Sequence, residues 1–226
     1  NEHFIEGSRH GLRVDELNLV RGQRPVPPFA MMRAAYGAVN ALPDADGVIR
    51  RVPLFFAHGG RLYPSLAMQT IITALQLRPD QISIVPGIEV TLVDTPRGTL
   101  HVPIDLHGQY RINFIGDLSA FTPAFEYLDL YGAVLAPETR AQVTEALKDR
   151  LVMVGQVSTG NTDVISAPVG RLPGVAVQAT VVSNILEGQH LRFTSPLLGT
   201  LLIVGAGASL GLAMIPTRPI VGIVSF

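Results

Sequence analysis

From Phe193 to Thr217 not one residue carries a formal charge. The centre of this stretch reads Leu197-Leu198-Gly199-Thr200-Leu201-Leu202-Ile203-Val204, and it stays apolar to Ile215. About 19 residues between Pro196 and Pro216, rising 1.5 Å each, approach the roughly 30 Å hydrocarbon layer of a bilayer. A core helix of a water-exposed domain keeps a polar face, and one that is apolar all round for about five turns follows the pattern of a membrane span. The sequence therefore predicts one complete transmembrane helix over about 196–216. Ile220 to Phe226 is apolar again after Thr217-Arg218-Pro219, which predicts the start of a second span from about 219. Arg192 and Arg218 flank the first span, so charge alone does not orient it.

Upstream the pattern is that of a water-facing domain, expected over 1–191, with 192–226 forming the membrane region. Short strands are predicted at Val48–Phe56, Ile82–Val85, Val90–Val93, Thr99–Val102 and Tyr110–Ile115. Asp94-Thr95-Pro96-Arg97-Gly98 supplies a turn between two of them. Helices are predicted from Pro64-Ser65 to Leu77, over Pro137–Lys148, and from Val175 to Leu186 with Gly188 closing the last. Leu151-Val152-Met153-Val154-Gly155, an apolar run straight after a helix, predicts a central strand covered on both faces. The expected fold class is α/β, a mixed sheet with flanking helices and a β-hairpin region, followed by the membrane helices.

Composition narrows the function classes. The chain has 226 residues, 47% hydrophobic and 15% charged, enough for one sizeable core. A formal net charge of −1 offers no basic field to hold nucleic acid. The absence of cysteine removes thiol nucleophiles, disulfides and thiolate zinc sites. The sequence opens on Asn1 without an initiator Met or signal segment, so a piece of a longer protein is expected, its sensor part incomplete at the amino end.

Three segments, in order, carry a resemblance. They are Gly37-Ala38-Val39-Asn40 with Asp44-Ala45-Asp46-Gly47-Val48-Ile49-Arg50-Arg51-Val52-Pro53-Leu54; Tyr110-Arg111-Ile112-Asn113-Phe114-Ile115-Gly116; and Leu151-Val152-Met153-Val154-Gly155 through Asp163 to Pro173-Gly174-Val175. Together they resemble the type-2 CHASE domain, the cyclase- and histidine-kinase-associated sensory extracellular domain, from about Phe29 to Leu191. The resemblance implies a module facing the periplasm or exterior of a bacterial cytoplasmic membrane. It also implies a small-molecule or envelope signal as partner, membrane spans after the sensor, and a cyclase, kinase or cyclic-dinucleotide output domain. No catalysis by the sensor and no cofactor are implied.

Candidate site residues follow from local chemistry. Gln156 to Asp163 is a polar, Gly-containing loop leaving the carboxyl end of the predicted central strand, where open α/β sheets form ligand crevices. Ser158, Thr159, Asn161 and Asp163 could supply oriented donors and acceptors there; Arg50 and Asn113 are further ligand-binding candidates. Asp44-x-Asp46-Gly47 resembles the opening of a calcium loop. Val48, Ile49 and Arg50 follow where oxygen ligands should stand, so a turn held by side-chain-to-backbone bonds is expected and no metal site. Arg50 and Arg51, adjacent on a predicted strand, should point to opposite faces and not both serve one ligand site, and one of them is expected to pair with Asp44 or Asp46 as a structural ion pair. Ser158, Asp163 and His190 fall in the chain order of a hydrolase triad, but Gly155 stands three residues before Ser158 where a nucleophile elbow needs two. The histidines at 3, 10, 58, 101, 107 and 190 contain no helix-face metal pair, and His101 and His107 are expected in a solvated loop. Gly207-x-x-x-Gly211 places small residues one turn apart, a helix-packing face on which two membrane helices, of a homodimer among other arrangements, could approach. A signalling sensor is the leading expectation; a membrane-tethered serine hydrolase and a non-sensing structural envelope subunit are the alternatives.

Overall fold

The computed structural model describes residues 35–58, 61–116, 124–157, 163–191 and 196–214. The chain divides into two compact units, Asn1–Leu191 and Arg192–Phe226.

In the first unit the strands are β1 (Arg51–Pro53), β2 (Phe55–His58), β3 (Arg61–Pro64), β4 (Ile82–Val85), β5 (Glu89–Thr95), β6 (Gly98–Pro103), β7 (Gln109–Arg111), β8 (Val164–Ala167) and β9 (Gly170–Pro173). Its helices are α1 (Leu66–Ala74), α2 (Tyr127–Leu135), α3 (Pro137–Leu147) and α4 (Gly174–Glu187). The strands form four small sheets, β1-β7, β2-β3, β4-β5-β6 and β8-β9, every pairing antiparallel. The α/β class holds. The single mixed sheet does not, because the strands close on near neighbours in pairs and a meander.

The best-ordered local logic lies in β4-β5-β6. Val90, Leu92 and Val102 alternate onto one face and are fully buried, with Val90 opposite both Ile84 and Val102. The β5–β6 turn sits where its composition put it. Thr95 Oγ1 accepts the Arg97 N–H at 3.0 Å and donates to the Gly98 carbonyl at 2.5 Å, while Gly98 takes φ 85°. α1 starts at Ser65, whose Oγ accepts the Met68 N–H at 3.2 Å. α4 ends on Gly188 at φ 67°, its N–H returning to the Asn184 and Ile185 carbonyls.

The core forms where α1 meets α4 over the sheets. Ala67, Met68 and Ile71 of α1 and Val177, Val181 and Ile185 of α4 join Leu54, Leu62 and Tyr110 in it. The Gln178 side-chain oxygen reaches from α4 to accept the Ala67 N–H at 3.1 Å, satisfying a first-turn donor of α1 inside the core.

One expected strand is absent: Leu151 to Val157 carries no strand pairing and is largely exposed, Val154 at 84%. The reason is visible in what it packs on. A Cβ at Gly155 would stand 2.4 Å from the Val175 Cβ, and Leu151 and Met153 border the same cleft as Ala179, Val182 and Leu186. Leu151, Met153 and Gly155 therefore lie along α4. The apolar run expected to be a central strand covered on both faces lies instead along a helix, with one side left exposed.

The second unit contains α5 (Pro196–Met214). Leu197, Leu198, Leu201, Leu202, Ile203, Val204 and Leu210 are exposed, and a Cβ at Gly207 or Gly211 would meet nothing within 4 Å. Among the described residues, no helix is long and apolar enough to cross a membrane, so the complete span expected over 196–216 is not supported. The nineteen residues of α5 rise about 28 Å, under the roughly 30 Å hydrocarbon layer. The second apolar stretch lies outside the described residues.

Candidate functional site

Arg50 and Arg51 do converge, against expectation. Arg50 Nη1 meets Asp44 Oδ2 at 3.0 Å and Arg51 Nη2 meets Asp44 Oδ1 at 2.5 Å. Arg50 also forks onto Asp46 at 2.9 and 2.7 Å, and Arg51 reaches Asp105 at 3.4 Å. The opposite-face rule fails because Arg50 precedes β1 and the Asp44–Gly47 turn doubles back over both side chains. That turn is held as expected: Gly47 N–H to Asp44 O at 2.9 Å and Val48 N–H to Asp46 Oδ1 at 3.1 Å, with Gly47 at φ 78°.

The Arg50 guanidinium first, and the Val48 N–H second, hold the Asp46 carboxyl down at about 2. A depressed carboxylate contributes stability above its unfolded pKa and loses it as pH falls through the folded one. The expected window is therefore from pH 4 down to 2. Carboxyl carbon NMR should place the Asp46 midpoint near 2, and Arg50→Gln should return it toward about 3.9. A wild-type midpoint already at the ordinary value would contradict the fork.

Asn113 anchors a second polar group. Its backbone N–H donates to Asn184 Oδ1 at 2.9 Å and its Nδ2 to the Gln189 carbonyl at 3.3 Å. Three residues earlier, in β7, the buried Tyr110 hydroxyl stands 3.0 Å from His190 Nδ1, the rings edge to face at 5.7 Å. Burial pushes the Tyr110 phenol up, so it remains the donor, and a neutral His190 accepting there carries its proton on Nε2. His190 thus gives Tyr110 the nitrogen that a triad would turn toward Asp163. His101 lies on β6 and not in a loop, its Nδ1 2.8 Å from Glu89 Oε1.

Of the loop candidates, Ser158, Thr159 and Asn161 lie outside the described residues. Asp163 sits at the start of α4: its carbonyl accepts the Gly174 N–H at 3.2 Å, and a Cβ at Gly174 would fall 2.5 Å from its carboxylate. A carboxylate there complements the positive end of the helix.

Along α4 runs a cleft of about 280 Å³. Leu151, Met153, Ala179, Val182 and Leu186 make its apolar floor; Arg97, Ser183 and Glu187 add polar groups. Arg97 comes from the β5–β6 turn, where its Nη1 donates to the Leu186 carbonyl at 2.9 Å, and Glu187 Oε1 accepts from Ser183 Oγ at 3.0 Å. None of the three was singled out in the sequence. The available signal was Glu187 in the last helical position, where an acid opposes the helix dipole.

A family model described as the CHASE2 domain matches residues 6–213. That match begins earlier than the resemblance did and runs into α5. No curated protein and no solved structure matches the chain. CHASE2 domains are extracellular sensory domains of signalling proteins and not catalytic ones. With the match covering most of its length, this chain belongs to the CHASE2 domain family.

Proposed function

We propose that the first unit is the extracytoplasmic sensor of a membrane-anchored receptor, and that its signal is a small molecule received in the cleft along α4. The observation that carries the sensing role is the CHASE2 match over residues 6–213. The cleft supports the ligand site: it lines the helix that also contributes Val177, Val181 and Ile185 to the core. Occupancy that favours one arrangement of α4 over another would shift the population of the whole domain.

The relay continues, in this reading, through α5 to a cyclase, kinase or cyclic-dinucleotide output domain, with a second copy packed on the Gly207–Gly211 face. The uncharged stretch from Phe193 to Thr217 supports the membrane connection, together with the family's extracellular place. The loop candidates and Arg50 remain proposed contacts of secondary rank.

A thermal-shift screen of the full chain against small metabolites tests the ligand site. A compound at 100 times its Kd should raise the melting temperature by roughly 5 °C or more. Ala179→Phe, which fills the cleft floor, should lose that rise. A screen without a responder, or a variant that responds like the wild type, would overturn the site.

A further inference from the structure

We propose that the ligand of this cleft is a zwitterion, a free amino acid with an apolar side chain; the inference rests on the sensing cleft just described and deepens it. Size sets the first limit. About 280 Å³ lies at the lower edge of small-molecule pockets, roughly 300–1,000 Å³. A molecule of leucine or valine size is matched to that volume.

Charge sets the second limit. The rim holds a cation and an anion together, Arg97 and Glu187, over a floor of Leu151, Met153 and Val182. They do not pair with each other. Arg97 spends one donor on the Leu186 carbonyl and Glu187 one oxygen on Ser183. A guanidinium carries five N–H donors and a carboxylate two oxygens, so both keep capacity toward the cleft. Arg97 can take a carboxylate, while Glu187, at the negative end of α4, can take an ammonium.

The mixed rim also rejects. A simple carboxylate meets Glu187, and a simple amine meets Arg97, each a like-charge contact. A ligand carrying an ammonium and a carboxylate on one carbon answers both groups and leaves an apolar tail for the floor. Leu151, Met153, Ala179, Val182 and Leu186 offer a tail apolar contact, which favours amino acids with apolar side chains.

The test is calorimetric titration of the full chain in lipid nanodiscs with three probes of one carbon skeleton. L-leucine has both charges, 4-methylpentanoate lacks the amine and 3-methylbutylamine lacks the carboxylate. Leucine should bind at least about 10-fold more tightly than either analogue. Arg97→Met should weaken leucine by about 10-fold or more and tighten the amine; Glu187→Gln should weaken leucine likewise and tighten the carboxylate. An analogue binding as tightly as leucine, or leucine indifferent to both substitutions, overturns the zwitterion. If leucine is inert while another screened compound stabilises the wild type and not Ala179→Phe, the ligand class falls and the sensing cleft stands. If that compound also stabilises Ala179→Phe, the cleft itself falls, and the zwitterion with it.

Discussion

Gly37→Val is expected to destabilise the first unit by about 3–4 kcal/mol, moving its urea midpoint down by roughly 1.5 M for a slope near 2 kcal/mol/M. Gly37 has no unusual φ to protect, so the argument is steric. A Cβ there would lie 2.4 Å from Leu66 Cα, 2.6 Å from Leu66 N and 2.8 Å from the Ser65 carbonyl carbon. These are backbone atoms, and no rotamer change moves them. The chain at this point is clamped to the beginning of α1. Ala38 N–H donates to Pro64 O at 3.1 Å, Leu66 N–H donates to Ala38 O at 2.8 Å, and Ser65 N–H to Leu54 O at 2.8 Å. Pushing the segments apart sacrifices two or more of these bonds, each worth about 1 kcal/mol, in addition to overpacking of about 1–3 kcal/mol. Gly132→Ala is the matched control. Gly132 lies inside α2 and a Cβ there meets nothing within 4 Å, so helix propensity alone acts, stabilising by about 0.5–1 kcal/mol. An unchanged midpoint in Gly37→Val would show that the segment is not held against α1.

Which parts of this fold the sequence disclosed follows from where each residue's partner lies. Ser65 capping Met68 is local, but Pro64-Ser65 reads as the helix start itself. Gly188 ending α4 and the Asp94–Gly98 turn also involve partners within a few residues, and both were legible. So was the alternation of β4, β5 and β6, whose strands pair with their chain neighbours. The β8–β9 hairpin was not, because Pro168 and Pro173 read as breakers while the ladder needed no N–H from them. β3 was missed: Arg61–Tyr63 falls in no expected element, and its last residue, Pro64, belongs to the expected helix start. Leu151 to Gly155 marks the deeper limit. Its continuous apolar run reads as a strand covered on both faces, whereas one side packs on α4 and the other is exposed. Site residues divide the same way: Asp46 and Arg50 are four apart and were readable as a turn, whereas Arg97 and Leu186 are 89 apart and only the fold brings them together.

Asn184→Asp should cost about 4 kcal/mol of stability at pH 7 and little near pH 3.5, a pH dependence that the wild type lacks at this position. Asn184 is fully buried on α4. Its Oδ1 accepts the Asn113 N–H at 2.9 Å, while its Nδ2 has no partner among the described residues. Aspartic acid has the same shape, so the protonated side chain keeps the Asn113 bond and the packing. Ionisation places a charge where one N–H is the only donor, and desolvation raises the pKa of such a carboxyl by about 3 units or more. The variant's folded state then holds its proton more tightly than its unfolded state. Each pH unit above about 3.9 therefore removes about 1.4 kcal/mol, until the raised folded pKa is passed. The measurement is the stability gap between variant and wild type by urea unfolding at pH 4 and at pH 7. Using the gap cancels the acid sensitivity that Asp44 and Asp46 give both proteins. Asn184→Leu supplies the uncharged comparison: it deletes the unpaired Nδ2 but strands the Asn113 N–H, for about 1–3 kcal/mol at either pH. A gap in Asn184→Asp that does not widen with pH would mean that water or a cation reaches position 184, and that the junction of α4 with the Asn113 segment is open rather than sealed.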